Sequence, residues 1–151
     1  MKNKKQFIIA IDQGTTSSRA ILFNTQGKSL FKSQLEFKQY FPKNGWVEHN
    51  PEEIWNKTKK VLVDVINKSK KLNGDVLTIG ITNQRETTIL WDRISGKSVY
   101  NAIVWQDRRT ADFCKKYKSD KRERLINRKT GLLIDPYFSG TKIKWIIENV
   151  P

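Results

Sequence analysis

The sequence predicts an α/β fold in which a mixed sheet is flanked by helices. Two apolar runs rich in β-branched residues, 7–11 and 76–81, have the length and composition of buried strands. Between them, apolar side chains from Ile54 to Ile66 recur at helical spacing, which predicts one long amphipathic helix. We expect this helix to lie on the sheet, and the absence of internal repeats or linkers predicts a single α/β unit.

The first strand is expected to begin an antiparallel meander. A small polar segment separates it from the apolar run at 20–23, and the turn signal at 24–27 precedes a third strand at about 29–37. A later strand is predicted at 88–91, followed by a turn at 92–96. The apolar run at 102–105 adds a further buried segment.

Helix boundaries are marked by capping residues and glycines. Asn50 is a predicted N-cap, Pro51 suits the first helical position, and Glu53 is placed for a capping box. The helix is expected to end at Asn73 and Gly74. From Thr110 the chain is predicted to be helical in pieces, with a break at 130–131, a loop at 135–137 and a last helix from about 139 to 149.

The chain is strongly basic, with a net charge of +14 and a pI near 10.0. Such a balance often accompanies nucleic-acid binding. Here many lysines stand singly or in pairs on predicted helix faces, without the interleaved aromatic side chains that stack on bases. We interpret the charge as a lysine-rich solvated surface and expect no nucleic-acid partner. A basic nucleic-acid module would instead lose binding steeply with added salt.

Other features of the sequence favour a cytoplasmic protein. The only cysteine, Cys114, has no partner for an intrachain disulfide, which suits a protein of a reducing compartment. We expect its side chain to be buried or half-buried. Asp12 interrupts the first apolar run after five residues, which is too short for a secretory leader, and no run has the length of a membrane span. The single histidine, His49, has no nucleophile or orienting carboxylate assigned to it, so a structural role is expected.

The segment between the first two predicted strands has the composition of a phosphate-binding loop. It combines a carboxylate, a glycine, hydroxyl groups and a guanidinium group, in Asp12, Gly14, Thr15, Thr16, Ser17 and Arg19. Glycine lets the backbone approach closely, hydroxyls donate to phosphate oxygens, and aspartate holds Mg²⁺ directly or through water. A solvated hairpin turn has the same composition and is an equal alternative on these residues alone. The Gly-Lys-Ser tripeptides at 27–29 and 96–98 lack the earlier glycine of a P-loop.

Five blocks of the sequence, in this order, resemble the FGGY carbohydrate kinases. They lie at 11–19, 45–49, 80–88, 101–106 and 135–142. Several long blocks in one order are far more specific than any single motif. The resemblance implies a ribonuclease H-like (actin-like ATPase) fold, with residues 1–151 as the N-terminal part of the first kinase domain and the hairpin at 11–19 as its phosphate-binding loop.

The resemblance also implies a reaction, its substrates and residue roles. ATP, with Mg²⁺ held at Asp12, would donate its γ-phosphoryl group to a small polyol, here glycerol. Arg85 and Glu86 are implied to bind two glycerol hydroxyls. Tyr137 is implied to bind another hydroxyl, and Trp105 to pack against the carbon face. On the residues alone, a surface ion pair and ordinary core packing stay the favoured alternatives for these four side chains.

The resemblance implies that the catalytic base and a second domain with the adenine pocket lie beyond residue 151. We therefore expect an incomplete and inactive part of an enzyme, and a homo-oligomer for the complete one. Two alternatives stay open. One is a kinase for another polyol or sugar, and the other is a non-catalytic remnant that binds a ligand.

Overall fold

The computed structural model describes residues 4–118 and 122–151. Its strands are β1 (Lys5–Gln13), β2 (Ser17–Asn24), β3 (Ser29–Glu36), β4 (Gln39–Tyr40), β5 (Glu48–His49), β6 (Gly74–Thr82) and β7 (Ala102–Ile103). Its helices are α1 (Pro51–Lys71), α2 (Ala111–Lys118), α3 (Arg122–Thr130) and α4 (Ser139–Asn149). No helix in the described ranges is both long and apolar enough to cross a membrane.

These elements form two compact units. The first contains the chain up to Lys38 together with Glu52–Gln84, and the second contains Gln39–Pro51 together with Arg85–Pro151. The prediction of a single α/β unit is therefore wrong. The physical reason is strand pairing, because β4 and β5 form a sheet with β7 rather than with β1 to β3.

The first unit is a four-stranded mixed sheet with the order β3-β2-β1-β6. β1 pairs antiparallel with β2, and β2 with β3, which confirms the predicted meander. β6 lies on the other side of β1 and runs parallel to it, with Asp12 opposite Thr82 at the end of the pairing. The parallel connection passes through α1, as a crossover between parallel strands requires.

The core of the first unit lies between the sheet and α1. Alternate residues of β1 and β2 meet Val61 and Val65 of the helix, and the buried cluster comprises Phe7, Ile9, Ile11, Ala20, Leu22, Val61 and Val65. The helix begins at Pro51 as predicted and ends at Lys71, just before Asn73 takes a left-handed φ of 56°. The predicted packing of this helix on the sheet is confirmed.

The second unit has a small sheet with the order β4-β5-β7. The predicted strand at 88–91 is wrong, since Thr88 and Trp91 form only isolated bridges, to Ile103 and Ser98. The two bridges do not share one register, so no ladder can continue from one to the other. The predicted turn at 92–96 is confirmed by Asp92, whose carboxylate accepts from the backbone of Ser95.

The helices of the second unit follow the predicted pieces. α3 ends at the expected break, where Gly131 has a φ of 73°, and α4 has the predicted bounds. Residues 119–121, which fall inside the predicted helical stretch, lie outside the described residues. Cys114 is buried on α2 as predicted, and this burial raises the pKa of its thiol. His49 is also buried, on β5.

A buried ion cluster ties the small sheet of the second unit to the segment that precedes α2. The Arg109 side chain is 1% exposed, and its Nη2 donates to Glu48 at 2.7 Å and to Asp107 at 2.9 Å. The guanidinium carbon also lies 3.8 Å from the Trp46 ring centroid and 4.4 Å from that of Trp145. One cation thus pairs with two buried carboxylates, which are themselves 1–2% exposed.

Glu48 of this cluster is held in its ionised form. Burial raises the pKa of its carboxyl, but hydrogen bonds from Asn101, Arg109 and Tyr100 outweigh burial and lower it below the ordinary value. The Tyr100 hydroxyl donates at 2.7 Å and the Asn101 amide at 2.9 Å. The charge is therefore paired and saturated with donors, as a buried carboxylate requires.

Candidate functional site

The predicted phosphate loop is the tight turn that joins β1 and β2. The amide of Gly14 donates to the carbonyl of Ser17 at 3.0 Å, which closes the turn. A Cβ atom at Gly14 would lie 3.3 Å from that carbonyl oxygen, so glycine relieves a close backbone contact. Thr16 is exposed at the tip, and Thr15 is half-buried beside it.

The base of this loop is anchored on α1. Thr58 of the helix accepts from the Gln13 amide at 3.0 Å and shares a hydrogen bond with Ser18 at 2.9 Å. Ser17 accepts from the Gln34 side chain of β3 at 3.1 Å. These contacts fix both ends of the loop while its tip stays accessible, a geometry that the sequence pattern of 12–19 did not reveal.

Asp12 and Arg19 face each other across the β1–β2 ladder. Nη2 of Arg19 donates to Oδ2 of Asp12 at 2.5 Å, with both side chains about two-fifths exposed (39% and 37%). The Nε atom of Arg19 is buried and has no hydrogen-bond partner in the described part of the chain. The pair therefore presents a carboxylate with one oxygen, Oδ1, outside the ion pair, next to an unsatisfied cationic donor.

A second cluster forms in the other unit around Glu86. Its Oε2 accepts from the backbone amide of Ser139 at 2.9 Å and from the Ser139 hydroxyl at 2.8 Å, at the start of α4. Glu86 has a left-handed φ of 63°, an uncommon conformation for a residue with a side chain. The carboxylate is thus held in a defined position and keeps Oε1 for another donor.

Two aromatic side chains lie in the same cluster. The backbone amide of Trp105 donates to the hydroxyl of Thr87, next to Glu86, at 3.3 Å. The rings of Trp105 and Tyr137 meet edge to face with centroids 6.1 Å apart. Both side chains are half-buried rather than enclosed in the core. The structure therefore brings Glu86, Trp105 and Tyr137 together.

Arg85 precedes this cluster and is exposed. Among the residues that the structure describes, its side chain forms no ion pair with Glu86 or with another carboxylate. The surface ion pair that the residues alone suggested is therefore not formed. An arginine without an intramolecular partner keeps all its donors for a ligand.

The sequence interpretation missed Lys142 as part of this cluster. Its side chain is fully buried (0% exposed), and Nζ donates to the carbonyl oxygens of Glu86 at 2.7 Å and Tyr137 at 2.6 Å. The signal was present in the helix pattern, because Lys142 is one turn from the buried Ile146 on the same face of α4. A lysine at a core position calls for a buried polar partner.

The chain is similar to known carbohydrate kinases over nearly its whole length. A family model for the N-terminal domain of the FGGY family of carbohydrate kinases matches residues 7–151. A glycerol kinase of Bradyrhizobium diazoefficiens is 58% identical over 145 residues, which are 96% of this chain and 29% of that protein. A glycerol kinase of Geobacillus sp. is 56% identical over 146 residues, or 97% of this chain and 29% of that protein.

The fold of the chain is also similar to that of a glycerol kinase of known structure. The crystal structure of Plasmodium falciparum glycerol kinase with ADP matches with a TM-score of 0.91 at 38% identity, over 97% of this chain and 29% of that chain. The ribonuclease H-like (actin-like ATPase) fold that the sequence resemblance implied is confirmed. The chain spans about 29% of the length of these relatives. With a family match that covers residues 7–151, the chain belongs to the FGGY family of carbohydrate kinases.

Proposed function

We propose that this chain is the N-terminal part of an ATP:glycerol 3-phosphotransferase, which converts glycerol and ATP to sn-glycerol 3-phosphate and ADP in glycerol catabolism. The observation that carries this proposal is the fixed Glu86 carboxylate beside the half-buried rings of Trp105 and Tyr137. The identity of 58% to a glycerol kinase supports glycerol over another polyol or sugar. Cytoplasmic ATP would supply the donor, so we propose a cytoplasmic location and, for the complete enzyme, a homo-oligomer.

The cluster in the second unit suits a small triol. Oε1 of Glu86 would accept from one hydroxyl, while the free guanidinium of Arg85 would donate to a second. The hydroxyl of Tyr137 would pair with a third. The ring of Trp105 would cover the carbon face and exclude water from these hydrogen bonds. Because glycerol offers only hydroxyl groups and carbon, such a site pairs every polar group of the substrate.

The loop between β1 and β2 suits the phosphates of ATP. Thr15, Thr16 and the loop amides would donate to phosphate oxygens, and Arg19 carries a buried donor, Nε, that has no partner among the described residues. Mg²⁺ fits Oδ1 of Asp12, which lies outside the ion pair. The described residues contain no group of three or more metal-ligating side chains, so ATP phosphates and water would complete the Mg²⁺ coordination. When bound, Mg²⁺ would neutralise the charge that develops on the transferred phosphoryl group.

The proposal assigns the remaining machinery to a part of the enzyme outside these residues. We propose that 1–151 is the N-terminal part of the first kinase domain, and that the catalytic base and the adenine pocket belong to the rest. Phosphoryl transfer depends almost wholly on positioning and charge stabilisation. A chain with the loop and the polyol cluster but without the base would bind poorly and turn over nothing.

The 151-residue chain alone is therefore expected to show no glycerol-dependent ATP hydrolysis or glycerol phosphate formation. A completed enzyme, in which residues 1–151 replace the matching segment of the Bradyrhizobium diazoefficiens kinase, is expected to phosphorylate glycerol. The measurement is glycerol phosphate formation by both proteins, made in a host without its own glycerol kinase. Turnover by the short chain would contradict the assignment of the base to another segment, and a folded but silent hybrid would count against the proposed function.

Substitutions in the phosphate loop are expected to slow turnover more than they weaken glycerol binding. Asp12→Ala in the completed enzyme should lower kcat about 100-fold, because a group that stabilises the charged transition state is lost. Thr15→Val and Thr16→Val should act in the same direction. The measurement is kcat and the KM for glycerol for each variant. Gln26→Ala, in the exposed turn after β2, is the control, and an equal fall in kcat there would show that the loop is only structural.

A further inference from the structure

Lys142 occupies a position where a lysine is costly. Its side chain has no solvent exposure, and burying an ammonium group without partners is strongly unfavourable. Among the described residues, the hydrogen-bond partners of Nζ are two backbone carbonyls in loops, those of Glu86 and Tyr137. A methionine would fill the same volume without this cost. The lysine therefore gives something that packing alone does not, namely a fixed connection between the two loops.

The Lys142 side chain stays mostly in its protonated, ammonium form at neutral pH. Burial lowers the pKa of its side chain to about 8, while the negative charges of Glu86, Asp107 and Asp135 oppose that shift. At neutral pH the group is still mostly protonated, with three donors for the surrounding oxygens. Hydrogen bonds from a charged donor are stronger than those between neutral groups.

Ser139, one turn before Lys142 in α4, also binds Glu86. Lys142 holds the backbone carbonyl of Glu86, and Ser139 holds its carboxylate through the amide and the hydroxyl. The left-handed φ of Glu86 is strained for a residue with a side chain, so it persists only where neighbours hold it. The first turn of α4 thus fixes both ends of Glu86.

We propose that Lys142 and Ser139 are positioning residues of the polyol site, which set the Glu86 carboxylate at a defined distance from Tyr137 and so determine hydroxyl selectivity. This inference rests on the proposed function. A displacement of about 1 Å in a positioned group can cost about 100-fold in rate. Neither residue has to touch glycerol to have this effect.

The test is the ratio of kcat/KM for glycerol to that for 1,2-propanediol, which lacks one hydroxyl, in the completed enzyme. Lys142→Met keeps about the same side-chain length and removes the N–H donors of Nζ. It should lower the ratio about 10- to 100-fold. Ser139→Ala removes one hydroxyl contact and should lower it about 3- to 10-fold. Because the ratio does not depend on how many molecules are folded, a loss of stability alone leaves it unchanged.

Lys144→Met is the matched control on the same helix, since Lys144 is exposed, pairs with Glu148 and lies over the Phe113 ring rather than in the Glu86 cluster. Its selectivity ratio should equal that of the wild type. If Lys142→Met does not fold, Ser139→Ala decides the matter. If both Lys142→Met and Ser139→Ala keep the wild-type selectivity ratio, the positioning role is wrong while the proposed function stands. A wild-type enzyme that does not prefer glycerol would overturn the proposed function, and the inference with it.

Discussion

Replacement of Arg109 by methionine is expected to lower the free energy of unfolding by about 3–5 kcal/mol. The substitution leaves the carboxylates of Glu48 and Asp107 buried without the cation that pairs with both of them. It also removes the contacts of the guanidinium group with the Trp46 and Trp145 rings. A loss of this size is a large part of the total stability of an ordinary domain.

The measurement is urea denaturation of the wild-type and variant chains, followed by circular dichroism. Arg108→Met is the matched control, because the Arg108 side chain is 60% exposed and lies 3.9 Å from Asp135. Surface pairs of this kind contribute about 0–1 kcal/mol. Equal losses in the two variants would show that the Arg109 cluster contributes no more than a surface ion pair.

The same cluster fixes the sign of the pH dependence. The pKa of Glu48 is lower in the folded chain than its ordinary value of 4.5, so the folded state binds fewer protons than the unfolded state. Its contribution to stability is therefore present above the unfolded pKa and is lost as the pH falls through the folded pKa. In Arg109→Met this loss on acidification should be shallower, because a source of the pKa depression has been removed.

The parts of the fold that were predicted correctly are those with a strong local pattern. The apolar runs of β1 and β2 and the helical spacing of apolar residues in α1 mark the side chains that form the core between the sheet and the helix. The strand predicted at 88–91 has a similar composition but lacks a continuous partner, and the chain turns back at once after Trp91. The lack of a continuous partner strand, rather than the β-propensity of its residues, determined that the segment 88–91 is not a strand.

The division into two units was not predictable in the same way. It depends on the pairing of β5 with β7, which are more than 50 residues apart in the chain, and short strands of two residues carry almost no periodic signal. The Arg109 cluster likewise draws on Trp46, Glu48 and Trp145, which lie in segments distant from Arg109 in the chain. Sequence patterns report local burial, whereas these contacts are tertiary.

The sequence identified the residues of the candidate site but not the residues that anchor them. The composition at 12–19 indicated a phosphate loop, and the resemblance singled out Arg85, Glu86, Trp105 and Tyr137. Thr58, Ser139 and Lys142, which anchor these groups, were not identified because each acts through a contact with a distant segment. The roles of the site residues toward ATP and glycerol stay predictions.

Wild-type completed enzyme is expected to prefer glycerol over 1,2-propanediol by as much as about 10⁴–10⁵ in kcat/KM, since a site that pairs each hydroxyl leaves a buried group unsatisfied with the diol. Arg85→Ala should erase most of that preference. Each lost pairing costs about 1–3 kcal/mol, because a donor or acceptor loses its partner in a site from which water is excluded. The expected effect is on selectivity, since Arg85 forms no intramolecular ion pair in the described part of the chain.

Glycerol, 1,2-propanediol, xylulose and gluconate are the substrates for this comparison, and Arg93→Ala is the matched control. Arg93 is, like Arg85, an exposed arginine outside the strands and helices, but it lies in the turn at 92–96, away from the Glu86 cluster in sequence. A better rate with xylulose or gluconate would make the glycerol assignment wrong while the family assignment stands. Unchanged selectivity in Arg85→Ala would place the hydroxyl-binding groups elsewhere and leave Arg85 as a surface residue. A fall in selectivity confined to Arg85→Ala would instead assign its guanidinium group to a substrate hydroxyl, because the two substitutions remove the same charge and the same number of atoms.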